Sequence, residues 1–252
     1  MAIAPAVRKE EDDNNSQMNI AYKNIFSIYK SKGPSSFNIV ARARKITGVK
    51  KVGHAGTLDP LASGVLVVGV GREATKRLAE IVGREKEYVA DIKLGMTSTT
   101  DDQEGEKIDI KFPISNFQFP MDEKGIPLKQ VKKVLSSFLG IIKQIPPQFS
   151  AIKVNGRRAY KSARAGQKME LSSRQVEIIS IEVLKYQYPD LRIKVVCGKG
   201  VYIRSLARDI GAVLGVGGYL ADLERTRVGE FSLKQSITLE QLVDLWQKNK
   251  NI

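Results

Sequence analysis

The longest apolar run in the sequence, Gly64 to Val70, is typical of a buried β-strand. It is far shorter than the ~20 apolar residues that a membrane-spanning helix needs. The stretch Glu87 to Leu94 alternates apolar and polar residues like a half-buried strand, whereas Lys129 to Leu139 carries apolar residues at helical spacing. Because strands and helices follow one another without regular alternation, we predict an α+β fold with a mixed, largely antiparallel sheet flanked by helices.

The N-terminal residues differ in composition from the rest of the chain. Met1 to Gln17 is polar and carries the acidic cluster Glu10 to Asp13, without the apolar stretch of a secretory signal. We therefore expect residues 1–19 to form a disordered tail.

Cysteine and histidine are both scarce. Cys197 is the single cysteine, which excludes an internal disulfide and a multi-cysteine zinc site. Since His54 is the single histidine, a metal enzyme would have to depend on carboxylate ligands. These counts favour a protein of the reducing cytoplasm without a structural metal.

The formal net charge of +14 favours an anionic partner. Charge alone leaves nucleic acid, a membrane surface and a ribosomal site open, but its distribution is one-sided. Two blocks of the sequence are basic and poor in acids. The first, between Asp13 and Asp59, contains no acidic residue, and the second, Lys153 to Arg174, contains one, Glu170. The basic residues of the first block are Lys23, Lys30, Lys32, Arg42, Arg44, Lys45, Lys50 and Lys51. A merely solvated face would interleave acids with bases.

A glycine pattern that follows the apolar run matches a dinucleotide-binding fingerprint. Gly69 to Ala74 reads G-x-G-x-x-A, and Asp91 lies twenty residues beyond Gly71. Asp91 falls in the middle of a predicted strand, however, and no train of βαβ units follows. We therefore interpret the glycines as a tight strand-to-helix turn, with a nicotinamide-dependent oxidoreductase as an alternative.

A second glycine-rich loop, Gly53 to Pro60, carries His54 and Asp59. Its glycines let the backbone turn tightly and approach a ligand, and Pro60 biases Asp59 toward an extended conformation. Asp59 could be a turn residue that bonds its own backbone. It could equally be a nucleophile, because nearby cations would keep a lone carboxylate ionised.

Gly198 to Leu206 places Tyr202 and Arg204 at the start of a helix. Both residues could be structural, with the tyrosine in packing contacts and the arginine at the surface. A functional interpretation is that the tyrosine supports a flipped base while the arginine pairs with a carboxylate.

Several blocks together resemble the TruB family of tRNA pseudouridine synthases, in that family's order over residues 22 to 245. The blocks are Lys30 to Leu66, Lys86 to Tyr88 with Leu94 to Asp101, Gln144 to Lys153, Arg157 to Tyr160 with Ala163 to Gly166, Gly200 to Arg204, and Leu223 to Phe231. Ser31 departs from the family's usual proline, and Phe149 replaces a common tyrosine.

The resemblance implies roles for particular residues. The family's nucleophile falls on Asp59, and the arginine that salt-bridges it falls on Arg204. The tyrosine that stacks on the base falls on Tyr88, and the second pocket tyrosine on Tyr202. The remaining positions implied in substrate binding are His54, which takes part in opening the RNA loop, the pocket leucine Leu223, and Lys30 of the N-terminal motif.

The resemblance also implies an activity. We expect the isomerisation of uridine to pseudouridine at position 55 of the tRNA T-loop, with the base flipped out and without a cofactor or metal. We expect residues 20–252 to form one catalytic domain of a monomeric enzyme, with a mobile RNA-binding loop at about 147–174 and no C-terminal RNA-binding module. The alternative from another class is a non-catalytic RNA-binding or RNA-folding protein.

Overall fold

A computed structural model of the chain describes residues 23–110, 125–150, 152–154, 157–158 and 169–250. The tail predicted over residues 1–19 lies outside these residues, as does most of the predicted RNA-binding loop. The chain divides into two compact units, one comprising Met1–Pro60, Gly64–Val82 and Phe231–Ile252, the other Leu61–Ser63 and Gly83–Glu230. The single catalytic domain over 20–252 stays a prediction.

Strands outnumber helices in the described residues. The strands are β1 (Ile25–Lys30), β2 (Val52–His54), β3 (Ser63–Val70), β4 (Lys86–Leu94), β5 (Met96–Ser98), β6 (Lys107–Asp109), β7 (Gly140–Gln144), β8 (Lys153–Val154), β9 (Arg157–Arg158), β10 (Arg174–Gln187), β11 (Asp190–Cys197), β12 (Gly218–Val228) and β13 (Phe231–Ser232). The α-helices are α1 (Ser36–Thr47), α2 (Arg72–Gly83), α3 (Leu128–Ser136), α4 (Ile203–Val213) and α5 (Leu239–Lys250), with a 3₁₀ turn at Leu233–Gln235.

The first unit is built around β3, whose residues are all buried, which confirms the buried strand predicted from the apolar run. Strands β1 and β2 both pair with β3 in antiparallel register. Helix α5 packs against α1, and the indole N–H of Trp246 donates to the Thr47 carbonyl at 3.0 Å. The Trp246 ring also meets Phe26 edge-on, an arrangement that aromatic pairs favour.

The second unit contains five antiparallel strands in the order β12, β4, β11, β10, β7. Buried and half-buried residues alternate along β4, as its sequence predicts. Helix α4 packs against β12 and β4, and α3 packs against β10. Isolated parallel bridges, Ile28 with Ile237 in the first unit and Asp102 with Leu220 in the second, make the pairing mixed. The predicted fold class is confirmed.

Two regions differ from the sequence-based prediction. Residues 96–107 are mostly polar, which predicts a loop, but they contribute to the short hairpin of β5 and β6. Residues 140–144, also unpredicted, form β7, which pairs with one end of β10. Most of β7 is exposed, and it therefore lacks the apolar alternation by which a strand is found in sequence.

No helix in the described part of the chain combines the length and apolar character needed to cross a membrane.

The five strands of the second unit give a test of the fold. Ile193 on β11 is 0% exposed, so Ile193→Ala removes buried apolar volume and should lower the free energy of unfolding by about 2–5 kcal/mol. Leu184 on β10 is 45% exposed, and Leu184→Ala should cost less than about 1 kcal/mol. Urea unfolding followed by circular dichroism measures both values. Equal losses would contradict this packing.

Candidate active site

The loop that carries Asp59 leaves the first unit's sheet at the end of β2. His54 is the last residue of that strand and pairs with Val68 on β3. The Ala55 N–H then donates to the Val67 carbonyl at 2.8 Å, so the chain is still anchored one residue beyond the strand. Gly56 follows with φ of 88°, a left-handed conformation that favours glycine. The turn toward Asp59 therefore starts from a fixed point on β3.

The two residues that flank Asp59 are both held by hydrogen bonds. Ser36, 2% exposed, accepts the Leu58 N–H on its hydroxyl and donates that hydroxyl to the Leu58 carbonyl, each at 2.8 Å. On the other side, the Pro60 carbonyl accepts the Gly33 N–H at 2.8 Å. Asp59 itself is half-buried, and the backbone on both sides of it is constrained.

Lys30 also holds the Asp59 loop, through the carbonyl of Pro60. Its side chain is 0% exposed, and its ammonium donates to the carbonyls of Ser31, Pro34 and Pro60 at 3.0, 2.9 and 3.4 Å. A buried charge needs such partners. Ser31 contributes a main-chain oxygen, which a proline would also offer, so the departure from the family pattern preserves this contact. A contact between Lys30 and substrate stays a prediction.

In the second unit, Arg204 lies in the first turn of α4 and is almost fully buried. Its Nη1 lies 3.4 Å from Oδ2 of Asp102, which is equally buried, and its Nη2 donates to the Phe149 carbonyl at 3.0 Å. Since Phe149 contributes its main chain, the absence of a tyrosine hydroxyl leaves this bond intact. The pairing of Arg204 with Asp59 stays a prediction.

Asp102, which the sequence analysis missed, is itself well held. Its Oδ1 accepts the Thr100 hydroxyl and the Glu104 N–H. One turn along α4, Arg208 pairs with Asp101 at 2.7 Å and with Asp209 at 2.9 Å. Burial raises the pKa of Asp101, and the Arg208 guanidinium opposes that rise. The sequence does carry a signal for Asp102, because two aspartates follow a run of hydroxyl residues at 97–100.

The strand register brings two predicted pocket residues together. Tyr88 on β4 is buried and lies opposite Val195 of β11 and Arg225 of β12. Leu223 lies opposite Ala90, which is two residues from Tyr88 and so on the same face of the sheet. Tyr88 and Leu223 are therefore diagonal neighbours across β4 and β12, a spacing within reach of an aromatic ring.

Buried basic side chains accompany Tyr88 on this face. Lys86 precedes it by two residues and lies opposite both Cys197 and Val228. Burial, and next the charge of Arg225, lower the pKa of Lys86. Burial raises the pKa of the Cys197 thiol to about 12, so this cysteine is protonated at neutral pH and is a poor nucleophile.

The dinucleotide-like glycine pattern has a packing explanation. A Cβ built on Gly69 would lie 3.1 Å from the backbone of Ala74, so the glycine permits close approach of β3 and α2 within the first unit. In the second unit, Asp91 lies in the middle of β4, with Oδ1 3.7 Å from Nε of Arg192. That position argues against a ribose-binding acid, which the fingerprint places at a strand end.

Within the described residues, no group of three or more histidine, cysteine or acidic side chains could hold a metal ion. The expectation of a cofactor-free enzyme stays a prediction.

Two family models match the chain. Residues 44–203 match the TruB family pseudouridylate synthase N-terminal domain, and residues 204–251 match the tRNA pseudouridylate synthase B C-terminal domain. A tRNA pseudouridine synthase B of Thermobifida fusca is 45% identical over 226 residues, which cover 86% of this chain and 73% of the relative. The chain belongs to the TruB family of pseudouridylate synthases. The expectation of an enzyme is thereby confirmed.

Other TruB-family relatives and solved structures agree. A tRNA pseudouridine synthase B of Parabacteroides distasonis is 46% identical over 85% of this chain and 89% of the relative. The crystal structure of a Cbf5-Nop10-Gar1 complex contains a chain with a TM-score of 0.66 and 32% identity. That match covers 94% of this chain but 58% of the solved one.

The serine pair at the start of α1 tests how the Asp59 loop is held. Ser36→Ala removes both bonds to Leu58, and we expect pseudouridine synthase turnover to fall about tenfold because small displacements of a reacting group are costly. Ser35 caps α1 by accepting the Asn38 N–H at 3.2 Å. Ser35→Ala should cost about 1 kcal/mol of stability with little loss of turnover. Equal turnover in both variants would contradict the support role of Ser36.

Proposed function

We propose that this chain converts uridine to pseudouridine in tRNA, at position 55 of the T-loop, and that Asp59 is its catalytic carboxylate. The observation that carries the proposal is the Asp59 loop, in which hydrogen bonds hold both residues that flank a half-buried Asp59. Two relatives named tRNA pseudouridine synthase B, 45% and 46% identical, support tRNA as the substrate.

The reaction is an isomerisation, so no oxidant, reductant or co-substrate is needed. The bond between ribose C1′ and uracil N1 breaks, the detached uracil rotates, and C5 forms a new bond to C1′. The proton on C5 leaves to solvent and N1 gains one, which balances the step. Asp59 starts the sequence as a carboxylate, either by attacking the nucleotide or by removing a proton from the ribose. Both routes require an ionised, fixed side chain.

Tyr88, Leu223 and Tyr202 are proposed to hold the uracil. Removing a base from its stack costs a few kcal/mol, and stacking on an aromatic ring offsets part of that cost. The adjacency of Tyr88 and Leu223 across β4 and β12 supports an apolar wall for the base. Arg204 is proposed to stabilise the Asp59 carboxylate, and its anchoring by Asp102 and Phe149 supports a rigid guanidinium.

The RNA is proposed to bind through its phosphates and its loop shape. The acid-poor basic blocks support phosphate contacts, which would make affinity fall as salt rises. His54 is proposed to help open the T-loop, and the loop at about 147–174 to grip the RNA. Lys30, which bonds the Pro60 carbonyl of the Asp59 loop, is proposed to take part in substrate binding. Monomeric state and cytoplasmic location stay predictions.

Asp59→Asn decides between a catalytic and a structural role for this carboxylate. The variant keeps the side-chain shape but lacks the negative charge, so turnover should fall at least about a thousandfold. Affinity for tRNA should stay within about threefold, because phosphate contacts provide most of the binding energy. Turnover is measured as tritium released from tRNA labelled at uridine C5, and affinity by filter binding.

Asp244→Asn is the matched control, because Asp244 is an exposed carboxylate on α5 of the same unit. It should retain wild-type turnover and affinity. If Asp59→Asn loses binding as much as turnover, Asp59 is structural. A wild-type protein that binds tRNA but releases no tritium would contradict the proposed tRNA activity.

A further inference from the structure

The side chain of Gln144 holds the backbone of Tyr202 at two points. Gln144 is the last residue of β7 and is 2% exposed. Its Oε1 accepts the Tyr202 N–H at 2.9 Å, and its Nε2 donates to the Tyr202 carbonyl at 3.2 Å. One primary amide therefore satisfies a donor and an acceptor that belong to the same residue.

This clamp acts at the point where the chain enters α4. Tyr202 precedes the first helical residue and is extended, with φ of −105° and ψ of 113°. Its carbonyl also accepts the first helical hydrogen bond, from the Leu206 N–H at 3.0 Å. When the N–H and the carbonyl of one residue are both fixed, so is the direction of its Cα–Cβ bond. Gln144 thus sets the direction in which the Tyr202 ring leaves the backbone.

The residues after Gln144 continue along the same side of α4. The Ile145 carbonyl accepts the Ser205 hydroxyl at 2.8 Å and Nη2 of Arg208 at 2.9 Å. Nη2 of Arg204 donates to the Phe149 carbonyl at 3.0 Å. Ile145 and Phe149 contribute main-chain oxygens, which substitution leaves in place. Gln144 contributes its side chain, so its contact can be removed by mutation.

We infer that Gln144 is a positioning residue, which orients Tyr202 directly and Arg204 through the first turn of α4. The inference rests on the proposed function, because Tyr202 and Arg204 are proposed there to hold the uracil and the catalytic carboxylate. A purely structural glutamine would also be buried and bonded, since an unsatisfied buried amide is costly. The two interpretations differ in whether the chemical step slows in a protein that stays folded.

The first variant is Gln144→Leu, which has a similar volume but can neither donate nor accept. At saturating tRNA, the single-turnover rate should fall about 10- to 100-fold, the scale expected for a small misplacement at a reacting centre. Affinity for tRNA should stay within about threefold, because most of it comes from phosphate contacts. Gln187→Leu, at an exposed glutamine on β10, is the matched control and should keep the wild-type rate.

The second variant, Gln144→Glu, covers the case in which leucine prevents folding. An ionised glutamate still accepts the Tyr202 N–H but repels the Tyr202 carbonyl, whereas a protonated glutamate donates to it as glutamine does. Burial favours the protonated form. The rate relative to wild type should therefore recover as the pH is lowered from about 8 to about 6.

The outcomes distinguish a positioning role of Gln144 from a purely structural one. A slow Gln144→Leu with normal affinity, or a Gln144→Glu deficit that recovers at low pH, supports the positioning role. A full rate at saturating tRNA in a folded Gln144→Leu, or a Gln144→Glu deficit that does not change with pH, overturns it. A wild-type protein without synthase activity would instead refute the proposed function, and the positioning role with it.

Discussion

The hydrogen bonds between Ser36 and Leu58 determine whether the first unit presents a usable carboxylate. A lone aspartate in a glycine-rich turn would sample many orientations and would bond its own backbone. Ser36 restricts these orientations by bonding both main-chain polar groups of Leu58, the residue before Asp59. With the Pro60 carbonyl held by Gly33 and Lys30, Asp59 is fixed at both ends. The cost of ordering the loop is thus met before any substrate binds.

In the second unit, hydrogen bonds likewise fix a cationic and an aromatic residue before any substrate binds. Asp102 and the Phe149 carbonyl hold Arg204, and Gln144 holds the backbone of Tyr202. The supporting side chains, Ser36, Lys30 and Gln144, are nearly or fully buried, and the bonds that define their support are to main-chain groups. Preorganised polar groups of this kind are effective in catalysis because they need no rearrangement during the reaction.

Sequence patterns predicted the elements whose cause is local. The apolar run of β3 follows from burial of both its faces, and the alternation of β4 follows from burial of one face. Both strands lie where the sequence predicts them. The edge strand β7 was missed because its exposed residues leave no such pattern. The roles of the candidate site residues came from family motifs and stay predictions, although the register does place Tyr88 beside Leu223.

The supporting residues could not be found in the same way. Ser36 and Leu58 are 22 residues apart, and Gln144 and Tyr202 are 58 apart. Such bonds leave no periodicity, because each depends on how distant segments are brought together by the fold. Asp102 is similar, since its partner Arg204 lies 102 residues away. A serine at a helix start, a glutamine at a strand end and an aspartate between strands resemble many solvated residues until the fold is known.

The most direct test is to incubate the protein with an unmodified tRNA transcript and to map every pseudouridine at single-nucleotide resolution. One new pseudouridine at position 55, absent from a transcript that carries cytidine there, is the predicted result. A transcript without any pseudouridine, or with pseudouridine only outside the T-loop, would contradict the proposed activity.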